Sequence, residues 1–291
     1  MSDERLVPVN GVELCVQTFG EAGDTPLLLV GNTMLTWPDG LCERLAGEGP
    51  RLVVRYDLRD TGRSTTADPD APGYTLRDLV SDATGLLDAL GLPRAHVAGF
   101  GVGGWIAQLL ALDHAERVAS LTLIAARALP PGPVDPDLPD HAPELMEHIM
   151  SAPEPDWTDR ASVVEAMVES ARHMAGSAGI DEAEVREQAG RIFDRVPEAA
   201  SPGVRRSNHF GTAFAAMDSG DRWRERLGEI SVPALVVHGE DDPFFPIGNG
   251  EALAREIPKA ELLRLSGTGQ ELPRRVWDDV VPAMIRVSEG A

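Results

Sequence analysis

Five short, continuous apolar runs, spaced through the chain and separated by helix-spaced stretches, restrict the possible folds more than any other feature. They are Leu27–Gly31 (LLLVG), Leu52–Asp57 (LVVRYD), Ala95–Gly99 (AHVAG), Ser120–Ala126 (SLTLIAA) and Pro233–Gly239 (PALVVHG). Runs that are apolar throughout, rather than alternating, mark strands buried on both faces. Tyr74–Leu90 and Val102–His114 carry apolar residues at helical spacing. Val12–Thr18 and Ala260–Leu265 read as two further strands. A β-α-β-α alternation of this kind predicts a parallel sheet covered by helices, an α/β fold.

The alternation stops after Ala126. Residues 128–146 are rich in Pro and Asp and read as a loop or linker. From about 141 to 219 there is no buried-strand signal, but Thr158–Met174, Asp181–Val196 and Arg205–Met217 are helix-like. The expected organisation is therefore an α/β core from 1–127 and 220–291, with a helical cap at 128–219. The chain shows no internal repeat.

Charge narrows the function classes. The 47 acidic residues against 26 basic ones give a net charge of −21. A field of that sign repels phosphate backbones and anionic lipid, so neither nucleic acid nor a membrane surface is an expected partner. Only Lys259 among the basic residues is a lysine, and it sits in a turn-like stretch, which leaves little scope for Schiff-base chemistry. Cys15 and Cys42 fall in a strand and a helix and read as buried free thiols, with neither disulfide nor zinc spacing. The polar start MSDERLVPVNG has no apolar signal region, and no run reaches the ~20 residues of a membrane span. A reduced, cytoplasmic protein is expected. Its oligomeric state is open, with a homodimer among the options.

Five segments, in order, resemble stations of the α/β-hydrolase fold family. They are LLLVGNTM (27–34), RYDLRDTGRS (55–64), AGFGVGG (98–104), VVHGEDDPFFP (236–246) and LSGTGQELP (265–273). The resemblance implies a mostly parallel eight-stranded sheet flanked by helices, with a helical cap insertion. It places the first segment at the loop that supplies an oxyanion-hole N–H. The second matches the family's D-x-R-G-x-G-x-S, with Asp60 where Gly is usual. The third is the nucleophile elbow, the fourth carries the triad acid at Asp242, and the fifth is the segment that normally ends in the catalytic His. The wording of RYDLRDTGRS and of the TWPDGLCERLA helix start is most similar to methylesterases of anthracycline and related aromatic-polyketide pathways.

Two departures from the family pattern decide the chemistry. The elbow position that should carry Ser, Cys or Asp is Gly101, and the histidine position is Gln270. A glutamine amide neither accepts nor releases a proton at neutral pH, and a glycine has no nucleophile. The family's acyl-enzyme route therefore has no atoms to run through. The G-x-G-x-x-G-like run GFGVGG lacks the acidic residue after a second strand that a dinucleotide site needs, so no cofactor is expected. No metal-ligand spacing is present.

What survives is the oxyanion-binding backbone. The Val102 and Gly103 N–H groups open a helix, and the Asn32–Thr33 loop is expected to add a second donor. Such a site favours an enolate, phenolate or carboxylate. Candidate acid–base groups are Asp242 and His209, the latter in the cap, where a purely structural histidine is the alternative. Gln270 could bond a substrate carbonyl or hydroxyl, or could reflect drift after loss of function. Gly101, Val102, Asn32, Thr33, Trp37 and Trp105 are the candidate substrate contacts. For the two tryptophans, stacking on a flat substrate and core packing are both open. Asp57 and Arg59 read as loop braces, His96 and His238 as buried strand-end residues, and His114 and His173 as solvated.

The resemblance extends to superfamily members with degraded triads, which are associated with carbon–carbon bond formation on polycyclic aromatic metabolites, anthraquinone-fused enediynes included. The expectation is a non-hydrolytic, cofactor-free enzyme acting on a small aromatic substrate. A dead scaffold that binds or delivers a hydrophobic product, and an atypical esterase using water directly with His209 as base, are the alternatives.

Overall fold

The computed structural model describes residues 3–68, 71–128, 132–210 and 218–290. Eight strands form one sheet: β1 (Arg5–Val9), β2 (Val12–Phe19), β3 (Thr25–Val30), β4 (Arg51–Tyr56), β5 (Ala95–Phe100), β6 (Val118–Ile124), β7 (Ala234–Gly239) and β8 (Ala260–Leu265). Their spatial order is β1-β2-β4-β3-β5-β6-β7-β8. The first two strands run antiparallel to their neighbours and every other pairing is parallel. The strand order reverses beside β3 and β5. In sheets of this type the crevice beyond the strand ends at such a reversal is where ligands bind.

Strand alternation sorts the core into two layers. Leu28, Val30, Val54, Tyr56, Val97, Leu121, Leu123 and Val236 face one way, with α2 (Leu76–Ala89) and α3 (Val102–Asp113). Leu27, Leu29, Val53, Ala98, Ile124, Leu235 and Val237 face the other, with α1 (Asp39–Gly47) and the last helix, α9 (Trp277–Glu289). The sequence expectation of strands buried on both faces is met because helices cover both faces of the parallel strands. The eighth strand, β1, is missing from the sequence reading. It is a half-exposed edge strand interrupted by Pro8, so it carries no apolar run.

Between β6 and β7 lie α4 (Pro143–Ser151), α5 (Arg160–Met174), α6 (Glu182–Arg195) and α7 (Pro202–Phe210). The stretch read as a loop to residue 146 is corrected: α4 begins at Pro143, a residue favoured in the first helical turn. Residues 211–217 of the predicted Arg205–Met217 helix lie outside the described residues. After β7 comes α8 (Gly248–Glu256). No helix among the described residues is long and apolar enough to cross a membrane.

Candidate active site

The elbow keeps its backbone without its nucleophile. Gly101 sits between β5 and α3 at φ 54°, ψ −115°, and its N–H donates to the Ile124 carbonyl at 2.9 Å. A positive φ is strained for any residue with a side chain, so glycine relieves that strain here. The flanking glycines are dictated by space. A Cβ on Gly99 would lie 2.2 Å from the Gly103 carbonyl oxygen, and one on Gly103 would lie 2.1 Å from the Val30 carbonyl oxygen. These contacts seat α3 against the end of β3, so the Asn32–Thr33 loop stands beside the elbow. The Val102 and Gly103 N–H groups have no preceding helical turn to bond to.

Gln270 stands over Gly101. A Cβ on Gly101 would be 3.5 Å from Gln270 Nε2, an ordinary contact. Nε2 donates to the Ala125 carbonyl at 2.9 Å. A carbonyl can only accept, so this bond also fixes which end of the amide is which. Ala125 itself is held at φ 47°, an uncommon conformation for alanine. The other end of the amide, Oε1, is buried without a partner. The loop carrying Gln270 is anchored to the cap: its N–H donates to the Met174 carbonyl at 2.9 Å, and Gly269 leaves no room for a Cβ beside the same carbonyl.

Asp242 follows β7 and is 3% exposed. Its Oδ1 accepts from the Phe244 and Phe245 N–H groups, both at 2.8 Å. Its Oδ2, where a triad histidine would bond, has no hydrogen-bond partner. Burial pushes the carboxyl up from 3.8 to about 7, against the pull of the two N–H bonds. Its neighbour His238 is the buried strand-end residue expected from the sequence, which did not show its approach to Asp242. His238 is fully buried, its Nε2 bonds the Phe245 carbonyl at 2.6 Å, and the same nitrogen lies 3.5 Å from Asp242 Oδ2. Because a carbonyl only accepts, the His238 proton is on Nε2. The signal was its spacing of four residues from Asp242 at the end of one strand.

His209 lies in α7. Both of its ring nitrogens are buried without partners among the described residues, and burial pulls its pKa down to about 4. The lowered pKa leaves His209 neutral at physiological pH and a weaker base than an ordinary imidazole, with one donor and one acceptor, whereas burial moves the Asp242 carboxyl toward neutrality. Asn208 sets the position of α7. Its carbonyl accepts from Asn32 Nδ2 at 3.1 Å, and its Oδ1 accepts from the Gly62 N–H. Asn32 Oδ1 is left buried without a partner.

Of the two readings left open for the tryptophans, the burial of both side chains matches core packing. Trp37 is fully buried among Leu41, Leu45 and Trp277 in one core layer. Trp105 packs in the other layer, with its ring centroid 6.4 Å from that of Phe245. Both serve packing rather than an open stacking surface. Thr33 is buried, and its carbonyl closes a turn onto the Thr36 N–H.

The braces behind the site match the residues read as braces. Asp57 Oδ1 accepts from the Met34 N–H at 2.8 Å, and its Oδ2 accepts from the Arg63 N–H at 3.0 Å and from Arg195 of α6. Arg59 pairs with buried Asp82, and His96 Nδ1 meets Ser120 Oγ at 2.8 Å. Asp60, in the family's glycine position, sits at φ 59°, a conformation that Asp tolerates better than most residues. His173 is not simply solvated: its ring stacks on that of His148 at 3.6 Å. A separate surface cleft lined by Asp135, Asp137, Arg222, Arg224 and Glu256 shares no residue with the elbow, and its charges pair with each other. Among the described residues, no three His, Cys, Asp or Glu side chains are placed to hold a metal ion.

Comparison with known proteins agrees with this fold. Residues 45–272 match the alpha/beta hydrolase fold family. The chain is 30% identical to rhodomycin D methylesterase DauP of Streptomyces sp. (strain C5), over 99% of this chain and 98% of the relative. It is 29% identical to rhodomycin D methylesterase DnrP of Streptomyces peucetius, with the same coverage. A putative carbamate hydrolase, RutD of Caulobacter vibrioides, is 29% identical over 82% of the chain. Among solved structures, the 2-hydroxy-6-oxo-6-phenylhexa-2,4-dienoate hydrolase of Rhodococcus sp. strain RHA1 superposes with a TM-score of 0.76 at 18% identity, over 99% of this chain and 98% of that one. That last similarity speaks for the fold alone.

Proposed function

The chain belongs to the α/β-hydrolase fold family, and we propose that it is a cofactor-free enzyme that has exchanged acyl transfer for acid–base chemistry on a polycyclic aromatic substrate. The observation that carries this reading is the composition of the site. The elbow backbone is intact, the nucleophile and histidine are Gly101 and Gln270, and the remaining acid, Asp242, is buried with its carboxyl pushed up to about 7. A general acid–base works best when its pKa lies near the working pH. Aldol- or Michael-type carbon–carbon bond formation is a reaction class that needs such a group and an oxyanion site but no protein nucleophile.

The steps balance without a co-reactant. Asp242 Oδ2, as the carboxylate, takes a proton from an activated C–H or phenol. The resulting carbanion or enolate carbon forms a bond to a carbonyl or enone carbon, and the negative charge moves to that acceptor's oxygen. The Val102 N–H and the α3 N-terminus hold this oxyanion, and preorganised donors of this kind contribute about 3–4 kcal/mol each. Asp242 then returns the proton. The product mass is the sum of the reactants.

The methylesterase relatives favour a second reading, an esterase in which water replaces the serine and Asp242 takes its proton. Incubation with a hydroxylated polycyclic ketone carrying a carbomethoxy group separates the two. The first reading expects a mass-conserving product and no methanol, whereas methanol with the free acid would establish the esterase. Binding with no turnover of any kind would leave a carrier of aromatic ligands and overturn both.

The site's ancestry has its own test. The Gly101→Ser/Gln270→His double variant places a hydroxyl on a backbone already at elbow angles, beside a position that now holds an amide. We expect it to be labelled by a fluorophosphonate probe, seen as a covalent mass adduct, and to cleave aryl esters. The wild type, with no serine at the elbow, should do neither.

A further inference from the structure

Two amide side chains border the elbow, and each is locked with its carbonyl oxygen unsatisfied. Gln270 spends Nε2 on the Ala125 carbonyl at 2.9 Å. Asn32 spends Nδ2 on the Asn208 carbonyl at 3.1 Å. Both partners are carbonyls, so neither amide can turn over without placing two acceptors face to face. Among the described residues, Gln270 Oε1 and Asn32 Oδ1 are thereby left buried and unpartnered, the first on the amide whose Nε2 faces Gly101 and the second in the adjoining loop.

These two oxygens differ in kind from the other unpartnered groups at the site. Asp242 can change its protonation and His209 its tautomer to suit either a donor or an acceptor. An amide oxygen cannot: it is satisfied only by a hydrogen-bond donor. A buried acceptor without a donor costs about 1–3 kcal/mol. The fold holds two of them on amides that border the elbow. Both oxygens are buried where cap and core meet, Asn32 through its bond to Asn208 and Gln270 through its N–H bond to the Met174 carbonyl.

We propose that Gln270 Oε1 and Asn32 Oδ1 select a substrate bearing two outward hydroxyl groups, a polyhydroxylated aromatic ketone or quinone rather than its alkyl ethers or the bare ring system. The proposal rests on the aromatic reading given above and specifies which aromatics qualify. The hydroxyls must be free to donate outward. One next to a ring carbonyl already donates internally and does not qualify.

The test compares three ligands on the intact wild-type chain: anthraflavic acid, whose two hydroxyls lie on outer ring positions away from the carbonyls, its dimethyl ether, and unsubstituted anthraquinone. Binding is followed by tryptophan quenching and calorimetry at mildly acidic pH, where the phenols keep their protons. The expected result is that anthraflavic acid binds about ten- to hundredfold more tightly than its ether, the equivalent of two hydrogen bonds. Apolar burial alone gives the opposite order, since the ether has more hydrocarbon to bury. In Gln270→Met, checked for native melting, the preference should shrink severalfold while anthraquinone binding is kept. Equal or tighter binding of the ether overturns the hydroxyl requirement and leaves the aromatic reading standing. Failure of all three ligands to bind overturns both.

Discussion

Arg195→Met is expected to lower the stability of the fold by about 3–5 kcal/mol at neutral pH, a loss seen in few single substitutions. Arg195 ends α6 and is 9% exposed, while Asp57 is fully buried. The guanidinium bonds both Asp57 Oδ2 and Glu4 Oε1. Asp57 in turn holds the Met34 and Arg63 N–H groups. Methionine preserves most of the apolar stem but leaves a buried carboxylate with no cation. The cost of such a group is the desolvation that the ion pair had offset.

The charge argument fixes a pH signature. Burial already pushes Asp57 above the ordinary carboxylate range even with Arg195 beside it, so loss of the cation raises it further. A carboxyl whose folded pKa is raised costs nothing where both states are protonated, and destabilises as pH rises through the folded pKa. The loss in Arg195→Met should therefore be small near pH ~4 and grow toward neutrality. Denaturant unfolding at both ends of that window reads it directly. A loss independent of pH would show that packing of the stem, not the ion pair, holds α6 to the core. Adding Asp57→Asn should restore part of the stability, because the stranded charge is gone.

The reach of the sequence reading follows from which constraints are local. The AGFGVGG segment was readable as an elbow because part of its constraint is local: a Cβ on Gly99 collides with the Gly103 carbonyl at 2.2 Å within one strand-turn-helix unit, whereas the limit on Gly103, 2.1 Å from the Val30 carbonyl of β3, comes from the fold. Asp60 was visible as a departure, and its φ of 59° explains why glycine is usual at that station. The double-faced burial of β3 to β7 was readable from continuous apolar runs. β1 was not, because an edge strand needs only every second residue buried, and Val7 and Val9 are too few to stand out. The Pro-rich prelude hid α4, although Pro143 at its first turn was itself a start signal.

The candidate site was legible by position but not by state. Nothing local in the sequence brings Arg195 to Asp57 across 138 positions, or Asn32 to the Asn208 carbonyl across 176. The roles of Asp242 and His209 turn on burial. A histidine that loses its water becomes a poor base, and an aspartate that loses its water becomes a good one. That inversion cannot be seen from residue type, which favours the histidine. The same holds for Trp37, whose place in the core depends on how α1 and α9 close over it.

Asp242→Asn should move stability and activity in opposite directions. Folding carries the Asp242 carboxyl from 3.8 to about 7. Within that window the folded state binds more protons than the unfolded one, so this residue lowers stability as pH rises through it. Asparagine keeps the acceptor for the Phe244 and Phe245 N–H groups and removes the charge. At mildly alkaline pH the variant should be more stable by about 2–4 kcal/mol, and near pH ~4 the gain should vanish. Its turnover should fall by about 10²–10⁴, the usual share of a general acid–base group, and the limb of the pH–rate profile near 7 should disappear. A residue kept only for folding gives a different result, because its removal does not raise stability while abolishing a titration in the rate. If Asp242→Asn were destabilised at all pH values with its rate profile intact, Asp242 would be a structural hub of the β7 turn and the proton would move elsewhere. The opposed signs are what the acid–base proposal for Asp242 requires: the desolvation that brings the carboxyl near neutrality is the same desolvation that strains the fold.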